Sequence, residues 1–476
     1  MRIRLCRVLL GVFVLGCGAV GVLPGMALGD ASIAPEAQFS TATALPDGRV
    51  YEQVSPTDKH GGAAGIDVPS AIAAASTGVS PFASPDGNAV MFPTSAPMGE
   101  MTGYAEHALV AQRSSMGWQT RAAAPSPTET VNQSNNQIVT PWPSEDLSHL
   151  AFAGNNISYM VEDPSEGKSG VYLAGSDPLV EPVWLGRPLL SAAFLGYSND
   201  LPAEVVGASS DLSVVYFSSS GRLTAQDAPR APYQSEENLG LFEWSSSRGL
   251  ASAGVLPNGS VSPYGALPAG RPGYGSRKND PELFNNQVSA DGSRLFFVSP
   301  DMEYCEHNGG CGGEVPELYV RETASDGTKS TVLVSRDTLL PEVGGLPASA
   351  PDGVMLTSGA PCSAREGPGQ CATGGSGTRN VTYAYASSDG SHVFFGSADR
   401  LTSAAPSDAF SKEYVFDTVT GVLTYLPGVT DGIGGTAVAV AGASDGSNVV
   451  FAKRDAPSPA EVSNGEVGGR LAELDR

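Results

Sequence analysis

The chain has 476 residues, 41% of them apolar and 16% charged, a globular composition rather than that of a charged disordered chain. Its net charge of −23 offers no basic stripe for phosphate contacts, which argues against nucleic acid and anionic lipid as partners. The 58 glycines and 36 prolines imply many turns between short elements, and heptad runs are absent.

The first 29 residues read as a secretory signal. Arg2, Arg4 and Arg7 form a positive start, residues 8–22 are apolar, and Ala27-Leu28-Gly29 offers small residues for cleavage before Asp30. The apolar run is short for a membrane span and no later one exists, so no membrane span is expected. Val14-Leu15-Gly16-Cys17 resembles a lipoprotein box, with Cys17 as the lipid-bearing residue, although Leu15 fits that pattern poorly. Residues 30–78 form an N-terminal segment ahead of the repeats.

From there the chain writes one phrase six times. Residues 84–92 read SPDGNAVMF, 144–152 SEDLSHLAF, 209–217 SSDLSVVYF, 289–299 SADGSRLFFVS, 387–397 SSDGSHVFFGS and 444–451 SDGSNVVF. The copies are anchored on Asp86, Asp146, Asp211, Asp291, Asp389 and Asp445. Ser and Asp accept hydrogen bonds from backbone N–H groups just downstream and fix a tight turn, and Gly tolerates the positive φ at its exit. The four or five apolar residues that follow do not alternate with polar ones, so the strand needs cover on both faces. Copies 144–152 and 209–217 carry Leu in place of Gly, and those two turns are expected to differ.

Each unit continues alike. A charged or aromatic strand follows, HALVAQR (107–113), GVYLAG (170–175), GLFEW (240–244), ELYVRE (317–322) or EYVFD (413–417). A turn then leads to a fourth strand in WQTRAAA (118–124), PVWLG (182–186), STVLVS (330–335) and VLTYLP (422–427). Six units of about four antiparallel strands, none able to cover its own two faces, predict an all-β fold, a β-propeller. The units lie near 79–125, 138–190, 203–257, 285–337, 381–428 and 436–476. The sixth lacks a fourth strand, which RVYEQVSP (49–56) is expected to supply, closing the ring.

The turn followed by an apolar strand and an L-Y-V strand resembles the repeat of TolB-like (PD40/WD40-like) propellers over roughly residues 79–476. PDGRVYEQVSPTDKHGG (46–62) also resembles the mature N-termini of exported TolB-like proteins of high-GC bacteria with no assigned activity. The resemblance implies fold and export, and no catalytic residues.

Outside the signal the cysteines are Cys305, Cys311, Cys362 and Cys371, an even set that suggests disulfides in an exported chain. Four cysteines allow three pairings; the local pairs 305–311 and 362–371 close the shortest loops. Gly442-Ala443-Ser444-Asp445-Gly446 matches a nucleophile elbow in letters only, since no His follows Ser444 and the residues belong to the repeated turn. His149 and His392 take equivalent places after their turns, as exposed polar flanks would. No catalytic, cofactor or metal residue is singled out. The long interruptions 225–239, 258–286, 301–316 and 339–380, with Tyr233, Tyr264 and Tyr274, are the stretches where binding on a rigid scaffold would live. The expectation is a secreted or envelope-associated monomer that binds an envelope protein or glycan without catalysis. The alternatives are an extracellular enzyme of glycan lyase or hydrolase type, with its site in the central funnel, and a spacing module with no ligand.

Overall fold

In the computed structural model the described residues are 52–59, 82–94, 107–123 except 116, 129–130, 137–158 except 156, 170–186 except 176–179 and 181, 203–269 except 220–222 and 228–239, 286–300, 313–354 except 343–345 and 352, 384–427 except 408–411, 437–454 and 469–475. The chain divides into Met1–Glu52, of which only Glu52 is described, and Gln53–Arg476, which holds all the strands.

The described residues fold as all-β. Sheet 1 is β1 (Phe82–Ala83), β2 (Ala89–Thr94), β3 (His107–Ser114) and β4 (Gly117–Ala122), antiparallel and in chain order. Next comes β5 (Glu129–Thr130). Sheet 2 is β6 (Gln137–Pro143), β7 (Leu150–Asn155), β9 (Gly170–Ala174) and β10 (Val183–Trp184), while β8 (Ile157–Ser158) pairs with β5 as a small side ribbon. Sheet 3 is β11 (Ala203–Ala208), β12 (Val214–Ser219), β13 (Gly240–Ser245) and β14 (Gly249–Ser252). Sheet 4 is β15 (Leu267–Pro268), β16 (Arg294–Ser299), β17 (Glu317–Thr323) and β18 (Lys329–Leu333). Sheet 5 is β19 (Tyr385–Ala386), β20 (His392–Ser397), β21 (Lys412–Asp417) and β22 (Val422–Tyr425). Sheet 6 is β23 (Ala437–Gly442), β24 (Asn448–Arg454) and β25 (Gly469–Asp475).

The cores lie between consecutive sheets, as strands apolar on both faces require. Strand β16 shows how. Leu295 and Phe297 pack with Tyr216 and Leu241 of sheet 3, and Phe296 and Val298 pack with Val393, Phe395 and Tyr414 of sheet 5. Further cores join sheet 1 to 2 (Met91, Val110, Phe152, Tyr172), sheet 2 to 3 (Ala151, Val171, Phe217, Phe242) and sheet 5 to 6 (Phe394, Val415, Phe451). Burying one such aromatic or aliphatic side chain contributes roughly 1.5–3 kcal/mol. Successive antiparallel meanders packed face to face are the blades of a β-propeller.

Three features depart from the sequence-based expectations. The first strand of sheet 4 lies inside the stretch 258–286 that the sequence assigned to a loop; a two-residue Leu-Pro strand has no alternation to reveal it, and Pro268 sits on an edge strand, where the missing N–H costs nothing. The Leu-containing turns do not differ from the others. Leu147 and Leu212 take φ of 57° and 56°, the same left-handed conformation as Gly87, Gly292, Gly390 and Gly446. Both side chains are buried, 3% and 2% exposed, against the preceding sheet, and that packing offsets a backbone strain of about 1–2 kcal/mol. Finally, residues 52–59 contain no strand, and Val54 packs beside Phe92, Leu109 and Trp118 of sheet 1, with its carbonyl accepting from Thr120 Oγ1 at 3.3 Å. Residues 49–51 of the expected closing strand, Cys17 and the candidate disulfide cysteines Cys305, Cys311, Cys362 and Cys371 lie outside the described residues.

Candidate functional site

The six turn aspartates share one local chemistry. In sheet 1, Ser84 Oγ donates to Asp86 Oδ1 at 2.6 Å, Asn88 N donates to the same oxygen at 2.9 Å, and Ala89 N donates to Ser84 Oγ at 2.9 Å. In sheet 2, Asp146 Oδ1 accepts from Ser144 Oγ, Ser148 Oγ and Ser148 N at 2.7, 2.7 and 3.0 Å. Asp211, Asp291 and Asp389 repeat the pattern with Ser209, Ser289 and Ser387. In sheet 6 the leading serine is replaced by Ala443, and Asp445 keeps the bond from Ser447 N at 2.9 Å. These aspartates are therefore structural in the first instance. His149 and His392 flank their turns, His149 exposed and His392 half-buried, each with Nδ1 against the neighbouring serine hydroxyl.

The turns also bond to one another. Glu145 N donates to Ser210 O at 2.8 Å, Ser210 N to Ala290 O at 2.7 Å, Ala290 N to Ser388 O at 2.7 Å and Asp389 N to Ser444 O at 3.0 Å. One main-chain rung thus links each pair of neighbouring turns from sheet 2 to sheet 6. At the seams between sheets 3, 4, 5 and 6 the turns also press together. A Cβ on Gly292 would lie 2.9 Å from Val214 Cβ, one on Gly390 2.9 Å from Ser289 Cβ, and one on Gly446 2.9 Å from His392 Cβ. Glycine there meets two demands at once, a positive φ and a close approach.

The seam between sheets 1 and 2 is built otherwise. The donor of its rung would be residue 85, which is Pro85 and has no N–H. The residue at the glycine position is Leu147, as it is Leu212 at the next seam, where the rung is nevertheless present. Between these turns lies a cleft of about 530 Å³ lined by Ser84, Asp86, Asn88, Ala89, Val110, Gln112, Arg121, Glu145, Asp146, Leu147 and Ser148, together with Pro85. Its volume is within the range of ordinary ligand pockets.

The electrostatics of two of the cleft's carboxylates are set by their own turns. Hydrogen bonds from Ser84 and Asn88 hold the Asp86 carboxyl below its usual range, and those from Ser144 and Ser148 hold Asp146 down at about 2. Carboxylates of that kind stay ionised near neutral pH and are poor general acids or bases, which need a value near the working pH. Asp146 Oδ2 and the Glu145 carboxylate accept no hydrogen bond among the described residues. Arg121 is half-buried; its NH1 and NH2 donate to the carbonyls of Ala122 and Leu147 at 3.1 and 3.0 Å, and burial lowers its pKa. It pairs with no carboxylate among the described residues. Among the described residues no three His, Cys, Asp or Glu side chains converge as metal ligands would.

The sequence pointed to Asp86 and Asp146 as turn residues but not to the cleft between them. The signal was present in Pro85, which deletes a donor. Of the long interruptions expected to carry binding, most residues lie outside the described ones.

No protein-family model and no curated protein matches the chain. Among solved structures it is similar to TolB from Acinetobacter baumannii at 12% identity and a TM-score of 0.26, covering 78% of this chain and 57% of that one, so the chain spans little more than half of that TolB's length. It is also similar to the β-propeller domain of the trilobed protease from Pyrococcus furiosus (9% identity, TM-score 0.34, 83% and 80% of the two chains). The periplasmic gluconolactonase of Pseudomonas aeruginosa is a third such structure (13% identity, TM-score 0.30, 83% and 84%). At these values the likeness carries no argument of its own, and the propeller architecture rests on the sheets.

Proposed function

We propose that the chain is an exported, non-catalytic binding scaffold that holds an envelope protein or glycan. The observation that carries this reading is the cleft between sheets 1 and 2, lined by the acids Asp86, Glu145 and Asp146, two of them hydrogen-bonded by their own turns. Hydroxyl and ammonium groups are the chemistry it accepts. Export rests on the N-terminal pattern of charged start, apolar run and small-residue site, and the disulfides proposed for Cys305, Cys311, Cys362 and Cys371 fit that compartment. Among the described residues no helix is long and apolar enough to cross a membrane.

The test is affinity capture with the full chain, oxidised, from an envelope extract, with the retained material identified by mass spectrometry. Wild type is expected to retain one protein or one glycan class through a wash at about 0.5 M salt, where screening falls to about 4 Å. The Glu145→Lys variant is expected to retain far less. Retention of nothing, or chemical conversion of the retained glycan, would overturn the reading.

A further inference from the structure

We infer that the cleft between sheets 1 and 2 docks an extended polypeptide segment through one lysine or arginine residue. This rests on the binding-scaffold reading and narrows it from two partner classes to one.

The main chain gives the first reason. At each later seam a turn N–H reaches the carbonyl of the next turn, whereas at this seam Pro85 cannot donate. The Glu145 carbonyl therefore receives no N–H among the described residues, and Glu145 lines the cleft. A partner's backbone N–H would complete the rung. Arg121, which lines the same cleft, donates only to main-chain carbonyls, those of Ala122 and Leu147, among the described residues. A backbone N–H presented along an extended segment is what the equivalent rungs at the later seams use.

The side-chain lining gives the second reason. Ala89, Val110 and Leu147 are buried and apolar, 4%, 3% and 3% exposed, and Asp86, Glu145 and Asp146 are exposed acids in the same cleft. A basic side chain matches those acids, with its charged head among the carboxylates of Asp86, Glu145 and Asp146. Glu145 and Asp146 Oδ2 hold accepting capacity that no described group uses.

The experiment pans a random-peptide display library on the full chain and titrates the enriched peptides by calorimetry at about 0.15 M salt, where screening is about 8 Å. Enrichment of Lys or Arg is expected. Acetylating that lysine, or replacing it by norleucine where the peptide carries Arg, should weaken binding about tenfold or more. Glu145→Lys, an exposed change, should do the same. Pro85→Ala supplies the missing N–H and should weaken binding a few-fold while leaving the melting profile in place. If Pro85→Ala melts early, the Glu145→Lys and acetylation arms still decide. Enriched peptides without a basic residue, or peptides indifferent to Glu145→Lys, overturn the inference. A parallel titration uses neutral and amino-sugar oligosaccharides. Oligosaccharide binding lost in Glu145→Lys, with no peptide binding, overturns this inference and leaves the scaffold reading standing. Failure of both probes counts against both.

Discussion

Glu413→Leu is predicted to stabilise the chain. Strand β21 places Lys412 opposite Ser397 and Glu413 opposite Gly396, as β17 places Glu317 opposite Ser299 and Leu318 opposite Val298, and β13 places Gly240 opposite Ser219 and Leu241 opposite Ser218. Glu413 therefore occupies the position of Leu318 and Leu241. It is as buried as they are, 3% exposed against 0% and 3%, and its Oε1 has no hydrogen-bond partner among the described residues. Burial raises its pKa well above the ordinary value. A buried unsatisfied polar group costs about 1–3 kcal/mol, and a buried leucine contributes about 1.5–3 kcal/mol. Allowing for imperfect fit, Glu413→Leu should gain about 2–4 kcal/mol near neutral pH. The sign of the pH dependence comes from linkage. Because the folded-state pKa is raised, the native state favours the protonated acid. The wild type keeps this contribution below the unfolded value of about 4.3 and loses it as pH rises toward the folded value, by up to about 1.4 kcal/mol per pH unit. The assay is urea unfolding of wild type, Glu413→Leu and Glu413→Gln at about pH 5 and about pH 8. The gain from Leu should be larger at the higher pH, and Gln should recover only the pH-dependent part. A Leu variant less stable than wild type at both pH values would refute the reasoning.

Other parts of the fold give three more expected outcomes. Leu212→Gly relieves a left-handed leucine, yet it removes a side chain packed between sheets 2 and 3, so it should destabilise by about 1–3 kcal/mol in urea unfolding; a stabilised variant would mean that strain dominates. Glu243, 1% exposed, joins sheet 3 to sheet 4 through Lys329 Nζ at 2.8 Å and also meets Arg248 at 3.2 Å. Glu243→Gln should cost about 1–3 kcal/mol, and adding Lys329→Met should recover part of it, as a double-mutant cycle would show. The Asp146 carboxyl is held down at about 2, so its contribution is present above the unfolded value and lost as pH falls from about 4 toward about 2. The group is mostly exposed, so solvent screening keeps that contribution under about 1 kcal/mol; acid titration of Asp146→Asn should show a correspondingly shallower loss.

Much of the blade architecture was legible because it is written in local chemistry. The Ser-x-Asp turn bonds within itself, and runs such as Leu295-Phe296-Phe297-Val298 are apolar on both faces only because sheets cover both. What was not legible depends on neighbours distant in sequence. Leucine in a glycine's place read as a different turn, since the packing of Leu147 and Leu212 against the preceding sheet cannot be seen from the turn itself. The strand Leu267–Pro268 carries no pattern of its own and is defined by pairing with Val298 and Phe297. The cleft was hidden for the same reason. Pro85 matters only where the two turns meet, and a rung is noticed as missing only beside the rungs present at later seams.

The most direct test of binding at the cleft is hydrogen–deuterium exchange on the full chain with and without the material it captures. Occupancy of the cleft predicts slowed exchange in the turns at 84–89 and 144–149, with the equivalent turns at 289–294 and 387–392 unchanged. Protection confined to other segments, or spread evenly over all the turns, would contradict it.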